Sequence, residues 1–354
     1  MSVELDNVVA AETVLSHVDG QAGQLILRGL PLGEAASSLD FEGVCALLWD
    51  GFTPASSCVA TALADARTAA FEQLAAILPA TDGLTAIEGL RLLLSGLSDD
   101  TDLEPAVQIT GAMAVFVAAI GRRQRGREPI APDPSLGHAA DFLAMLNDAE
   151  PNPALVARLD TYLVTVADHG LNASTFAARV VASTRAGMVS SIVAALCALK
   201  GPLHGGAPGP VLDMLDDIGG PERIDAWLQE ALARGDRLMG FGHRVYRVRD
   251  PRADVLKSAV SRLQGERIAF AEQVEKAAIA HLARHKPDRR LETNVEFYTA
   301  LLLDRIGLDR SLFTPVFAIG RVAGWSAHVM EQVDRGRLIR PRSRYMGPAP
   351  LRAA

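Results

Sequence analysis

The chain of 354 residues has few cysteines, few lysines and no long apolar run. Its three cysteines, Cys45, Cys58 and Cys197, lack metal-ligand spacing and stand in apolar stretches, which predicts buried thiols in a reducing compartment. The longest apolar run, from Gly111 to Ile120, has about ten residues, whereas a membrane-spanning helix needs roughly 20. No secretion signal pattern is visible at the N-terminus. We therefore expect a cytoplasmic protein that does not bind a membrane.

The charge balance excludes a general affinity for nucleic acid. Against 42 acidic residues stand 35 basic ones, so the net charge is −7 and no overall basic field exists. Composition is 49% hydrophobic and 22% charged, which is typical of a globular protein. The cations are almost all arginine, because the lysines are only Lys200, Lys257, Lys276 and Lys286.

The apolar pattern predicts a mainly α-helical protein. Apolar residues recur at three- and four-residue spacing, as in 41–48 and 87–94, and long alternating strand patterns are missing. Longer helices are expected over 174–199 and 252–283. A turn-rich stretch at 18–23 predicts a small hairpin or an irregular arm.

Two short segments place a histidine among turn and capping residues. Residues 168–175 hold His169, with Asn172 as a possible helix N-cap, although a capping turn with an uninvolved histidine has the same pattern. Residues 201–207 hold His204 before two glycines, which can expose backbone N–H groups to a ligand. Glycine-rich turns are common, so this second segment alone is only suggestive.

A third segment combines a histidine with arginines. His243 follows a Gly-x-Gly turn, and Arg244, Arg247 and Arg252 come soon after it. Arginine binds carboxylates and phosphates through a planar fork, so this segment suits an anionic ligand. The third glycine of a dinucleotide-binding turn and the strand before it are missing, so a Rossmann fold is not expected.

The fourth segment offers a candidate base. Glu296 stands between apolar neighbours, Val295 and Phe297, where burial would raise its pKa, although an exposed helix glutamate has the same local pattern. Arg321 and Arg340 follow further along the chain. None of the four segments has the ligand spacing of a metal site, so no metal is expected.

Taken together and in order, these segments resemble the citrate synthase family, which includes the 2-methylcitrate synthases. The resemblance covers nearly the whole chain and implies an almost all-helical, intertwined homodimer. It implies a large domain made of 1–203 and 306–354 and a small domain, 204–305, that closes over the active site. The motifs that carry it are Asp19-Gly20, Leu27-Arg28-Gly29, 169–175, 201–207, 240–246, Asp250-Pro251-Arg252, 294–298, 318–321, Gly324-Trp325 and Arg340-Pro341-Arg342.

The resemblance implies an acyltransferase of the tricarboxylic acid cycle that condenses acetyl-CoA with oxaloacetate and hydrolyses the product to citrate and CoA. Glu296 would take a proton from the thioester methyl group. His204 would stabilise the enol, and His243 would polarise the oxaloacetate carbonyl and protonate the new alkoxide. The reaction needs no cofactor, because the CoA thioester is a substrate.

The resemblance also assigns the binding residues. Arg340 would reach the site across the interface from the partner subunit, and Arg244 and Arg247 would contact CoA phosphates. The oxaloacetate ligands would be His169, Asn172, Arg252, Arg321 and Arg340.

One residue departs from the family pattern at the candidate base. In most of the family the position of Glu296 is aspartate, and a side chain longer by one methylene moves the carboxylate by roughly an ångström. Gly170 and Pro208-Gly209 also replace more usual residues beside the histidine motifs. Two alternatives therefore stay open. One is a 2-methylcitrate synthase that uses propionyl-CoA, and the other is a low-activity paralogue with a binding or regulatory role.

Overall fold

Helices form most of the structure, a computed structural model that describes residues 8–202, 204, 208–243, 245–263 and 265–348. About 63% of the chain is helical, in fifteen α-helices within the described residues, as the sequence predicts. They are α1 (Leu32–Ser38), α2 (Phe41–Trp49), α3 (Val59–Ile77), α4 (Ala86–Ser95), α5 (Pro105–Gln124), α6 (His138–Asn147), α7 (Pro153–Val166), α8 (Ala173–Ala182), α9 (Met188–Leu199), α10 (Pro208–Ile218), α11 (Ile224–Ala233), α12 (Pro251–Ser261), α13 (Glu266–His285), α14 (Val295–Ile306) and α15 (Phe313–Arg335).

A small sheet precedes the helices. Strands β1 (Ser16–Asp19) and β2 (Gln24–Leu27) form an antiparallel hairpin, and β3 (Leu30–Pro31) pairs with β2. The Asp19 carboxylate accepts hydrogen bonds from the backbone N–H groups of Gln21 and Ala22, at 2.9 and 2.8 Å, and so stabilises the hairpin turn. The turn-rich stretch predicted a small hairpin or an irregular arm, and the structure shows the hairpin.

Helices α5 and α15 form the centre of the core and are buried along most of their length. Helix α5 is long and apolar enough to cross a membrane, but 94% of its apolar window is buried inside the protein. Such burial is typical of the central helix of a packed core, which is hydrophobic on all sides.

Two of the predicted helices are each divided into two. The stretch 174–199 forms α8 and α9, which are separated by a turn in which Arg185 has φ +65° and Gly187 has φ +94°. A Cβ on Gly187 would lie 2.1 Å from Oδ2 of Asp99, so only glycine fits there. The stretch 252–283 forms α12 and α13, which are separated around Gly265. Both breaks are short, and their described residues are exposed or half-buried. No proline stands at either break, so the sequence offers only a weak signal that the helix ends there.

The cysteine prediction is wrong for two of three residues. Cys45 is buried, but Cys58 and Cys197 are exposed, and all three are free thiols. Cys58 is the N-cap of α3, and Cys197 lies on the outward face of α9. The predicted division into a large and a small domain stays a prediction.

The contact between α15 and the end of α7 positions two candidate residues. The backbone N–H of Gly324 lies 3.1 Å from the carbonyl oxygen of Ala167. A Cβ on Gly324 would lie 2.3 Å from that oxygen. This close approach brings Arg321, one turn earlier on α15, against the turn that carries His169.

We expect Gly324→Ala to lower the free energy of unfolding by about 1–3 kcal/mol, because the added methyl group forces α15 away from the end of α7. Thermal and denaturant unfolding measure the change. Gly33→Ala in α1 is the matched control, since its Cβ would meet nothing within 4 Å. Equal stability of the two variants would contradict the close packing described here.

Candidate active site

A short backbone pairing joins two segments that are about fifty residues apart in sequence. The N–H of Gly242 donates to the carbonyl of Glu292 at 2.8 Å, and the N–H of Asn294 donates to the carbonyl of Gly240 at 2.9 Å. The Asn294 side chain also donates to the carbonyl of Gly242, at 2.9 Å. Gly240 has φ +84°, and a Cβ there would lie 2.9 Å from the Cβ of Phe297. The pairing fixes His243 beside the start of α14.

The tautomer of His243 follows from its hydrogen bonds. Its Nδ1 accepts from the backbone N–H groups of Val245 and Tyr246, at 3.0 and 3.1 Å, so the proton of the neutral ring lies on Nε2. Nε2 is 3.1 Å from Nη2 of Arg252. Both atoms are donors and lie side by side. Burial and the Arg252 charge lower the pKa of His243 to about 4 and keep the ring neutral.

Asp250 orients the Arg252 guanidinium. Its carboxylate binds Nε and Nη2 of Arg252, at 3.1 and 2.8 Å, and also caps α12. One carboxylate oxygen accepts from the N–H of Val295, at 3.2 Å, which adds a second link to the start of α14. Arg252 is 4% exposed and Asp250 is 1% exposed, so the pair is held rigidly below the cleft.

Arg321 is a second buried guanidinium. It is 1% exposed, donates through Nε to the carbonyl of Val166 and stacks over the Phe317 ring at 4.6 Å. Burial lowers its pKa to about 10 against the opposing effect of Asp168, so it stays charged at neutral pH. Arg252 and Arg321 lie close enough for each to disfavour the other's charge, which makes the cleft favourable for an anion.

His169 lies between these cations. Its Nε2 is 3.1 Å from the hydroxyl oxygen of Tyr246, and its ring packs edge-on against His243 with centroids 5.7 Å apart. Burial first, and then the charges of Arg252 and Arg321, hold its pKa well below the ordinary value. The imidazole is therefore neutral and available for hydrogen bonding.

His204 is held by a serine. Its Nε2 lies 2.8 Å from Oγ of Ser174, which also accepts from Nε1 of Trp325 at 3.1 Å. The single hydroxyl proton of Ser174 has two acceptors within reach, Nε2 of His204 and Oδ1 of Asn172, which lies 2.7 Å away. Donation to Nε2 leaves the proton of His204 on Nδ1, where it can be offered to a ligand. Burial and the Arg321 charge lower the pKa of His204 to about 4.

Glu296 is the carboxylate of the cleft. It occupies the first turn of α14, where Asn294 caps the helix by accepting from the N–H of Glu296 at 3.0 Å. Burial raises its pKa to about 7, although Arg252 and Arg237 oppose the rise. A helix N-terminus favours a negative charge, so desolvation outweighs this effect here. A carboxylate that titrates near neutral pH is suited to accept and release protons.

The comparisons with known proteins identify the family. The family model for the citrate synthase C-terminal domain matches residues 4–342. The citrate synthase of Haloferax volcanii is 39% identical, over 98% of this chain and 96% of that protein. The 2-methylcitrate synthase of Mycobacterium tuberculosis is 36% identical, over 97% and 90%. A solved Thermoplasma acidophilum citrate synthase, in ternary complex with carboxymethyl coenzyme A and oxaloacetate, is 28% identical with a TM-score of 0.88, over 99% of this chain and 97% of that one.

The chain belongs to the citrate synthase family. It is an acyltransferase of that type, and the resemblance drawn from its motifs is confirmed. Six of the predicted site residues lie together in the cleft of this citrate synthase family member: His169, His204, His243, Arg252, Glu296 and Arg321.

Asn172 has a structural task in addition to its predicted one. Its Oδ1 accepts from the N–H groups of Ser174 and Thr175, both at 3.1 Å, and so caps α8. Its Nδ2 donates to the carbonyl of Gly170 and to Oγ1 of Thr175. The residue therefore places Ser174, which holds His204. A direct contact between Asn172 and substrate stays a prediction.

The structure does not bring the other predicted site arginines into this cluster within the described residues. Arg340 is exposed in the irregular segment 336–348 that follows α15, and no described hydrogen bond or ion pair of this chain joins it to the cleft. Arg247 is exposed, and its backbone N–H donates to the carbonyl of Gly20 at 2.8 Å. Arg244 lies outside the described residues.

Sequence analysis missed a buried polar chain behind the cleft. Asp168 accepts from Oγ of Ser16, and its Oδ1 lies 3.3 Å from Nε2 of His328. Nδ1 of His328 lies 2.8 Å from Nη1 of Arg179, which pairs with Glu331 at 2.6 Å. The available signal was helical spacing, since His328 stands seven residues, or about two turns, after Arg321 on the same face of α15.

We expect the Glu296 carboxyl group to titrate near pH 7, because burial disfavours its charged form. The measurement is a 13C NMR titration of protein labelled at the glutamate carboxyl carbon, and the resonance absent from Glu296→Gln identifies the residue. A titration of that resonance near the ordinary glutamate value of about 4.3 would contradict a desolvated site.

Proposed function

We propose that the protein condenses acetyl-CoA with oxaloacetate and hydrolyses the intermediate to citrate and CoA. One observation carries the proposal: a single cleft combines a carboxylate whose pKa is about 7, two neutral imidazoles and two buried guanidiniums. These are the groups that a carbon–carbon condensation between a weak carbon acid and a dianionic keto acid requires. The kinship with citrate synthases supports it.

Oxaloacetate is proposed to bind at the cationic end of the cleft. Its two carboxylates neutralise Arg252 and Arg321, whose charges otherwise repel each other in a desolvated space. Its keto oxygen is proposed to accept from Nε2–H of His243, which lies beside Nη2 of Arg252. That hydrogen bond polarises the carbonyl and makes its carbon electrophilic. His169 and Asn172 are the further contacts that we propose.

The acetyl thioester then loses a methyl proton to Glu296, while His204 donates through Nδ1–H to the thioester oxygen and stabilises the enol. The enol carbon attacks the oxaloacetate carbonyl carbon, a carbon–carbon bond forms, and His243 gives its proton to the new alkoxide. Water then attacks the thioester carbonyl and releases the CoA thiol. One proton of that water goes to the sulfur of the departing CoA, the other restores the Nε2–H of His243, and Glu296 releases the methyl proton to solvent. The net products are citrate, the CoA thiol and one proton, no cofactor takes part, and the thioester itself is a substrate.

The CoA moiety and the second subunit complete the proposal. Arg244 and Arg247 are proposed to contact the CoA phosphates, in a cytoplasmic homodimer. The C-terminal segment 336–348 leaves large apolar side chains exposed, with Tyr345 74% and Met346 82% accessible, which suits a segment covered by a second copy. We propose that this segment carries Arg340 into the partner's cleft.

The first experiment follows the release of CoA thiol from acetyl-CoA and from propionyl-CoA with oxaloacetate. With acetyl-CoA, kcat/KM is expected to rise about tenfold per pH unit up to pH 7 and then to level off, because the base works only when ionised. His204 and His243, with pKa values of about 4, stay neutral over that range. Glu296→Gln, the isosteric variant, is expected to lose about 100- to 10,000-fold in kcat.

Other outcomes of this assay decide between the alternatives. A preference for propionyl-CoA would make the protein a 2-methylcitrate synthase, a difference of one methyl group that pockets distinguish by only ~1–3 kcal/mol. No turnover with either thioester, together with a gain in Glu296→Asp, would favour a paralogue whose glutamate has weakened the site. Full activity in Glu296→Gln would contradict the assigned base.

A mixing experiment tests the contribution of Arg340 across the interface. Arg340→Ala and Glu296→Gln homodimers are each expected to be nearly inactive. In a mixed dimer, one site combines an intact Glu296 with an intact Arg340 from the partner, so an equal mixture is expected to regain about a quarter of wild-type activity. If Arg340 served its own subunit, the mixture would stay as inactive as its components.

A further inference from the structure

A buried carboxylate outside the cleft binds four side-chain donors. Glu275, on α13, is 4% exposed. It accepts from Arg249 at 3.1 Å, Lys257 at 2.7 Å, Thr293 at 2.7 Å and Tyr298 at 2.6 Å. Burial alone would raise its pKa, but these donors, with Lys257 the strongest, hold that pKa below the ordinary value. Glu275 is therefore a charged group that none of the proposed reaction steps uses.

The four donors come from separate parts of the chain. Lys257 lies on α12 and Tyr298 lies on α14, whereas Thr293 precedes α14 and Arg249 belongs to the loop between His243 and α12. The buried carboxylate thus connects the start of α14 to both the His243 loop and α12. Arg249 also pairs with Asp254, which restrains the loop further.

Two of these donors flank the candidate base. Thr293 precedes Glu296 by three residues, and Tyr298 follows it by two. Two residues along a helix correspond to about 200° of rotation, so Tyr298 leaves α14 on the face opposite Glu296. Its hydroxyl reaches back to Glu275, and its ring lies 5.6 Å from the Lys257 ammonium. Glu275 therefore holds the first turn of α14 on the side of the helix opposite Glu296, and Glu296 faces the cleft.

Arg249 connects Glu275 to the loop that carries His243, the residue proposed to polarise the oxaloacetate carbonyl. Arg249 comes six residues after His243. The backbone pairing of Phe241 with Thr293 joins the His243 loop to the start of α14. A shift of the His243 loop or of the start of α14 would alter the separation between the carboxylate of Glu296 and the Nε2 of His243. A misplacement of about 1 Å in such a constellation costs on the order of 100-fold in rate.

We propose that Glu275 is a positioning residue that sets the place of Glu296 and of the His243 loop by holding Thr293, Tyr298 and Arg249 together. The proposal rests on the proposed function, in which Glu296 is the base. Glu275 contacts neither substrate and acts only through these neighbours. The groups that face it are Arg249, Lys257, Thr293 and Tyr298, with Glu272 nearby on α13, and those that face Glu296 are Arg252, Arg237 and Asp250.

The test measures kcat, KM and the pH profile of Glu275→Gln, Tyr298→Phe and Thr293→Val. We expect kcat to fall on the order of 10- to 100-fold in Glu275→Gln and by a smaller factor in the other two. The midpoint of the acidic limb should move below pH 7, because water reaches a loosened Glu296. Tyr298→Phe and Thr293→Val change no charge. A change in the pH midpoint of those variants therefore reflects a change in the position of Glu296 and not the loss of a nearby charge.

Glu272→Gln is the matched control. It removes the same charge from the same helix one turn earlier, where the carboxylate accepts from Ser261 at 3.3 Å, and we expect it to keep the wild-type kcat and midpoint. Folded Glu275→Gln, Tyr298→Phe and Thr293→Val proteins that melt at lower temperature but keep the wild-type kcat and midpoint would overturn the proposal. So would an equal effect of Glu272→Gln.

Failure of the proposed function has a different signature. It leaves the wild-type protein without turnover, whereas failure of the positioning proposal leaves the wild type active and the variants unchanged. If the wild type is inactive, the 13C titration of Glu296 still tests the positioning proposal. A lower pKa of Glu296 in Tyr298→Phe supports positioning, and an unchanged pKa overturns it.

Discussion

The backbone pairing between residues 240–242 and 292–294 is the constraint on which the site depends. It places an imidazole and a carboxylate side by side although about fifty residues separate them in sequence. Gly240 is required because its neighbour Phe297 leaves no room for a side chain. Asn294 both caps α14 and donates to the carbonyl of Gly242 on the opposite segment. Asp250 then adds a third connection, since it binds Arg252 and the first N–H of α14.

Desolvation acts on the groups of this cleft in opposite directions. It raises the pKa of Glu296 and lowers the pKa values of His204 and His243, so that near pH 7 both imidazoles are neutral while Glu296 is about half ionised. Arg252 and Arg321 keep their charge because a guanidinium is so strong a base. Each guanidinium has a nearby carboxylate, Asp250 for Arg252 and Asp168 for Arg321, and both remain charged donors to which a dicarboxylate can bind.

Much of the fold and of the site could be predicted from the sequence, because helical periodicity and local motifs are properties of neighbouring residues. His169, His204, His243, Arg252, Glu296 and Arg321 each stood in a distinctive local segment, and the structure brings them together. The interruptions at Gly187 and Gly265 were missed because they are short and no proline marks them. The tasks of His328 and Glu275 were also missed, since each depends on partners that only the folded chain supplies. Arg340 lies on an exposed segment, and its proposed contact is with residues of a second subunit.

The most direct test of the account is a crystal structure with oxaloacetate and carboxymethyl coenzyme A bound together. The account predicts that Arg252 and Arg321 bind the oxaloacetate carboxylates, that Nε2 of His243 reaches the keto oxygen, and that a Glu296 oxygen lies about 2.6–3.2 Å from the carboxymethyl group, which occupies the place of the acetyl group. A complex in which Glu296 faces away from that group, with another side chain in its place, would contradict the claim that this glutamate is the base.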